Sequence, residues 1–287
     1  MLPTREEVTE ILKKKWDERK LEELFPEAFI FGSLINRGGR HFMPAGTMGS
    51  DIDFLMVFNP EISEAPSRTK TLTEFKVIAK ELEYEVCQLL KRTDKVFSFL
   101  PVTDYEVYHC IHKGFDPKIF TLNIFFDVLK GELSKNGLAD YIDFDFHLES
   151  IEAFTAMRNC QKMRNMFLSV DMLGEEVVEP FDGPGEVPKE IMRTFALLNY
   201  IDMPDGALSD RTDLEKGFDF LKRCLKENVY GSMEVSSLAE KVSGRSFIRS
   251  ESEPLTPNDL LLLTEISFDE ARRRVRKSVR EVIDRSM

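Results

Sequence analysis

The sequence predicts an α+β protein: a mixed sheet flanked by helices over residues 1–149, followed by a C-terminal helical domain over residues 150–287. Three observations carry that expectation. Residues 28–31 and 51–58 are short apolar runs of strand length. Segments with apolar residues three and four apart surround them, the spacing of a helix with one buried face. After about Glu149 strand patterns vanish and helical ones continue to the end. At 287 residues the chain also exceeds the ~250 at which single cores usually stop growing, which favours two domains.

Taken in order, residues 4–23 open with Thr4-x-x-Glu7, a capping-box pattern, and continue with helix formers until Pro26. Ala28, Phe29, Ile30 and Phe31 form a strand stopped by Gly32 and Ser33. Residues 36–49 are glycine-rich with Pro44 and lack periodicity, so they read as a loop. Residues 51–58 then make a strand that is apolar on both faces beyond Asp51 and Asp53, as a central strand covered on both sides would be. Residues 66–92 form a helix whose Phe75, Ile78, Leu82, Val86, Leu89 and Leu90 cover one face of the sheet. Two more strands are expected around residues 106–112 and 120–129, joined through Gly114 and Pro117. Helices are expected at residues 151–173, 188–200, 213–228 and 268–286, with a loop through Pro180, Gly183, Pro184 and Gly185.

Composition narrows the function. The chain is 42% hydrophobic and 31% charged, ordinary for a soluble globular protein, and no apolar run is long enough to cross a bilayer. The N-terminus lacks the basic-then-apolar order of a secretion signal, so a cytoplasmic protein is expected. Cys87, Cys110, Cys160 and Cys224 are scattered and read as reduced core thiols. A net charge of −12 disfavours a broad nucleic-acid footprint and suits small molecules or cations. Arg272, Arg273, Arg274, Arg276, Lys277 and Arg280 are a solvated helix face or, alternatively, an anion or RNA contact.

Chemistry concentrates at Asp51 and Asp53. One residue apart on a strand, they point to the same face and lie side by side. Two neighbouring carboxylates repel unless a cation neutralises them, and a hard divalent ion such as Mg²⁺ favours carboxylate oxygen. The competing structural reading is a soluble strand end, where Asp also caps turns. Gly32 and Ser33 tip the balance. Directly after a buried strand, Gly32 permits close backbone approach and Ser33 offers a hydroxyl and an N–H to a phosphate. Gly38-Gly39 is a second possible phosphate turn, but only Gly32-Ser33 follows an apolar strand directly.

Phe31-Gly32-Ser33 together with Ser50-Asp51-Ile52-Asp53-Phe54-Leu55 resembles the nucleotidyltransferase superfamily, the DNA polymerase β-like proteins that include antibiotic nucleotidyltransferases and cyclic-oligonucleotide synthases. The resemblance covers roughly the first half of the chain. It implies a nucleotidyltransferase-type mixed sheet, a nucleotide bound by Gly32, Ser33 and Ser50, and two Mg²⁺ ions held by Asp51, Asp53 and a third carboxylate on a neighbouring strand. The stretch between Ser33 and Asp51 is longer than the family's usual connection and implies an insertion. Gly46-Thr47 is similar to a Gly-Thr element of some cyclic-oligonucleotide synthases.

Strand parity selects Asp127 as the third carboxylate, because Phe120, Leu122, Ile124, Phe126 and Val128 share the opposite, apolar face. Asp143 and Asp145 are rivals, and Glu106 or no residue at all are further alternatives. Arg158 and Lys162, four apart on the helix from residue 151 with Arg164 nearby, could clamp a triphosphate or simply be solvated or ion-paired. The histidines have no zinc spacing. A Walker lysine motif, a nucleophile elbow and a dinucleotide fingerprint are all missing from the sequence. The expected activity is Mg²⁺-dependent, moving a nucleoside monophosphate from ATP or another triphosphate to an acceptor hydroxyl of a small molecule, nucleotide or protein. The alternative is a catalytically silent nucleotide-binding or interaction protein that keeps the fold.

Overall fold

The computed structural model describes residues 4–32, 35, 51–112, 124–134, 151–169, 189–202, 211–245 and 255–286. The protein is mixed α and β, and the chain divides into two compact units. The first comprises Met1–Ser63, Thr71–Phe146 and Arg164–Val178; the second comprises Glu64–Lys70, His147–Met163 and Glu179–Met287.

The first unit begins with helix α1 (Arg5–Arg19), started by a capping box in which Thr4 and Glu7 each satisfy the other's backbone N–H. Lys20, at φ +50°, ends it in the left-handed conformation. Strands β1 (Glu27–Phe31), β2 (Ile52–Val57), β3 (Phe97–Val102), β4 (Phe125–Asp127) and β5 (Glu132–Ser134) form one mixed sheet in the order β3-β2-β1-β4-β5. β1 runs antiparallel to β2 and β4, while β2 and β3 are parallel. Helix α2 (Ala65–Leu90) supplies the long connection that a parallel pair needs.

Each face of the sheet has its own core. On one, Trp16 of α1 packs edge-on against Phe54 at 5.4 Å and Phe75 at 6.1 Å, and Phe54 meets Phe97 and Phe99. The Trp16 indole N–H donates to the Phe25 carbonyl at 3.2 Å, so the buried ring leaves no donor unsatisfied. On the other face, Phe29, Phe31, Leu55, Val57, Leu100, Val102, Val107 and Phe125 pack together. Burial of each such side chain contributes about 1.5–3 kcal/mol. The doubly apolar pattern of residues 51–58 thus belongs to an interior strand, as expected.

In the first unit the structure departs from the sequence expectation after residue 96. Residues 106–112 do not form a strand; helix α3 (Asp104–Tyr108) starts there, capped by Thr103 and Glu106 in a second capping box. The strand of this region is β3, slightly upstream. Pro101 obscured it, because proline lacks the N–H a ladder needs; β3 tolerates it by pairing only with β2 in the described sheet. The strand expected over residues 120–129 is described as β4 alone, since residues 113–123 lie outside the described residues.

From Ile151 onward every described element is a helix: α4 (Ile151–Leu168), α5 (Lys189–Asp202), α6 (Arg211–Glu227), α7 (Met233–Ser243) and α8 (Pro257–Ser286). α7 was not expected; its start is marked by Ser232, whose hydroxyl accepts from Val235 N. α8 begins earlier than the apolar spacing suggested, at a proline in the first position, where its missing N–H costs nothing. Within the second unit Arg68, fully buried, donates to Glu265 and Asp269 at 2.6 Å each and joins the start of α2 to α8. No described helix is long and apolar enough to cross a membrane.

Candidate nucleotide and metal site

The antiparallel register of β1 and β2 places Phe31 opposite Asp53, so Gly32 emerges directly beside the Asp53 carboxylate. Gly32 has φ +81°, a conformation that favours glycine. A Cβ there would run into the Asp53 carboxylate oxygen and lie 3.2 Å from its Cγ. The positive φ favours glycine, and any side chain there would force the Asp53 carboxylate to move. Gly32→Ala should lose activity and also stability, since the strained backbone alone costs roughly 1–3 kcal/mol. Chemical denaturation beside a turnover assay checks this; a fully stable, fully active variant would refute the close approach.

Asp51 is exposed immediately before β2, and Asp53 is half-buried on the face of Leu55 and Val57. Two oxygen-donor side chains at one partly open strand end fit Mg²⁺, which is usually held by one or two carboxylates and completed by substrate phosphates and water. Arg92 lies close enough to feel Asp51. Its pKa is raised chiefly by the hydrogen bond to Asp94, with burial opposing and the charges of Asp94 and Asp51 adding to the rise. Across β2 from Phe31, Ser98 of β3 stands in register with Asp53. Asn165, in the last turns of α4, donates to Ser98 Oγ at 3.3 Å and to the Phe99 carbonyl at 2.6 Å. Neither Ser98 nor Asn165 was foreseen: without β3 recognised as a strand, no pattern placed Ser98 beside Asp53.

Asp127 does not join the pair. It stands opposite Phe29, with β1 between β4 and β2, so two strand spacings, about 10 Å, separate it laterally from the Asp53 strand. Its Oδ1 accepts from Leu129 N and Lys130 N at 3.0 Å each, and its Oδ2 pairs with Lys130 Nζ at 2.9 Å. The residue closes the β4–β5 turn. Parity identified its face, but parity does not say which strand lies next to which. Glu106 is likewise engaged elsewhere: it is buried, caps α3, and pairs with the buried Arg164 at 2.7 and 2.9 Å.

Ser33, Ser50, Asp143 and Asp145 lie outside the described residues, as do Gly38-Gly39 and Gly46-Thr47. Arg158 and Lys162 belong to the second unit, Arg158 half-buried with its pKa lowered by that burial, Lys162 exposed. Among the described residues no group of three or more His, Cys, Asp or Glu is placed to hold a metal.

The family model NTase-conflict, described as a Pol beta superfamily nucleotidyltransferase in conflict systems, matches residues 12–273. Neither the curated proteins nor the solved structures contain a match. The match spans Gly32, both aspartates and most of the helical half, and on that extent the chain belongs to this family of Pol beta superfamily nucleotidyltransferases in conflict systems.

Proposed function

We propose that the protein transfers a nucleoside monophosphate from a nucleoside triphosphate such as ATP to an acceptor hydroxyl, with Mg²⁺ held by Asp51 and Asp53. The observation that carries this reading is the packing of Gly32 against the Asp53 carboxylate. It brings Gly32 and Asp53, far apart in sequence, together at one end of two neighbouring strands. In the reaction the acceptor oxygen bonds to the α-phosphorus, the bond from that phosphorus to the bridging oxygen breaks, pyrophosphate leaves, and the hydroxyl proton passes to solvent. Gly32 and Ser33, with Ser50, would seat the phosphates on backbone N–H and hydroxyl groups. Two bound Mg²⁺ ions would neutralise charge on the attacking and leaving oxygens.

The acceptor we favour is a small molecule, a second nucleotide or a protein hydroxyl, because a net charge of −12 works against long nucleic acids. A cytoplasmic protein would meet triphosphates at working concentration. The silent-binding alternative has one observation in its favour: among the described residues no group of three or more His, Cys, Asp or Glu is placed to hold a metal. Mass spectrometry after incubation with the four triphosphates, Mg²⁺ and acceptors of the three classes separates the two readings. A nucleotidylated product and pyrophosphate are expected with at least one combination. Mg²⁺-dependent triphosphate binding with no product under any of them would establish the silent reading instead.

A further inference from the structure

We propose that Glu83 is a positioning residue for the aspartate pair, holding the entry of β3 so that the backbone between Asp51 and Asp53 keeps its place; the assignment rests on the metal-binding reading of that pair. Glu83 sits in the middle of α2 and is 1% exposed. Its two carboxylate oxygens accept from successive backbone amides, Val96 N and Phe97 N, where the chain enters β3. The Val96 carbonyl in turn accepts from Ile52 N at 2.7 Å. Ile52 is the residue between the two aspartates, so three links lead from a helix side chain to the metal-binding backbone. The parallel register continues from there, with Ile52 opposite Phe97 and Asp53 opposite Ser98.

The surrounding connection is built to keep Glu83 in place. Arg92 forks onto Asp94 and also donates to the Lys95 carbonyl at 3.1 Å, folding the α2–β3 turn onto itself. Cys87 Sγ lies 3.8 Å from Glu83 Oε1 and 3.5 Å from the Asp94 carbonyl. A carboxylate in such a place is costly: burial pushes Glu83 up to about 7, opposed by the Val96 and Phe97 amides, the Lys95 charge and the Cys87 thiol. A group kept at that cost, and engaged with two amides at one strand entry, acts through what it orients.

Glu83→Gln tests the assignment, because it offers one oxygen and one NH₂ to two N–H donors, and Glu83→Asp tests it again with the charge kept and the reach shortened. In the metal-free protein, amide exchange at Ile52 is expected to accelerate about tenfold in either variant. Mn²⁺ affinity, measured by paramagnetic resonance, is expected to fall about tenfold, the lower range for residues that support a metal ligand. Val86→Ala, which removes buried apolar volume on the same helix without taking a hydrogen-bond acceptor from Val96 or Phe97, is the control for general loosening. Should Val86→Ala reproduce both effects, or both Glu83 variants leave Ile52 exchange and Mn²⁺ affinity at the wild-type values, the assignment is overturned. If the wild-type protein binds no Mn²⁺, the metal reading falls and this assignment with it. Wild-type binding that both Glu83 variants retain removes only the role of Glu83.

Discussion

Asp53→Asn is expected to abolish nucleotidyl transfer while leaving the protein folded. The substitution keeps the side-chain shape, so the contact with Gly32 and the register with Phe31 and Ser98 survive. What it removes is one negative charge from a pair whose proposed task is to hold cations against a triphosphate. Loss of one preorganised charge-stabilising group typically costs about 10²–10³ in turnover, and a lost metal ligand should cost at least that. Asp127→Asn provides the contrast. Its Oδ1 can still accept from Leu129 N and Lys130 N, and only an ion pair with the exposed Lys130 disappears, so activity should hold. Turnover assays with circular dichroism decide the matter: a folded Asp53→Asn enzyme of undiminished rate would remove the metal assignment.

The largest stability effect is expected at Arg164. Its guanidinium donates to both oxygens of Glu106, and both side chains are fully buried. Arg164→Met fills much of the same space but strands the Glu106 carboxylate without its countercharge. Removing one partner of a buried pair costs about 3–5 kcal/mol, far more than the pair's net contribution. The double variant Arg164→Met/Glu106→Gln should recover most of the loss, because it leaves no buried charge, while the amide oxygen introduced at position 106 can still cap α3. Denaturant unfolding of the wild type and the two variants gives the comparison. A single variant within about 0.5 kcal/mol of the wild type, the range of ordinary surface changes, would show that the Glu106 charge is not uncompensated.

Much of the first unit was legible from local pattern. Thr4 and Glu7 announce α1, the apolar run before Gly32 is β1, and the doubly apolar run after Asp51 is an interior strand. The structure adds what the sequence does not show, that Gly32 lies against the Asp53 carboxylate. β3 was missed because Pro101 weakens its strand pattern, and α3 was misread because Tyr105, Val107 and Tyr108 favour strands while the Thr103–Glu106 capping box outweighs them. α7 and the early start of α8 were missed because caps at Ser232 and Pro257 fix helix starts that apolar spacing alone does not mark.

By itself the sequence determined the α+β class, the interior strand and the glycine that ends β1, since each depends on residues within a few positions of one another. Tertiary structure alone decided the strand order, and with it the places of Asp127, Glu106 and Glu83. Asp127, Glu106 and Glu83 are chemically similar in sequence. One closes a hairpin, one neutralises a buried arginine 58 residues away, and one holds the entry of β3. The physical reason is that a carboxylate's role is set by the donors and charges within a few ångströms of it. For a buried group those neighbours come from strand pairing and helix packing across long sequence separations, which no local periodicity encodes.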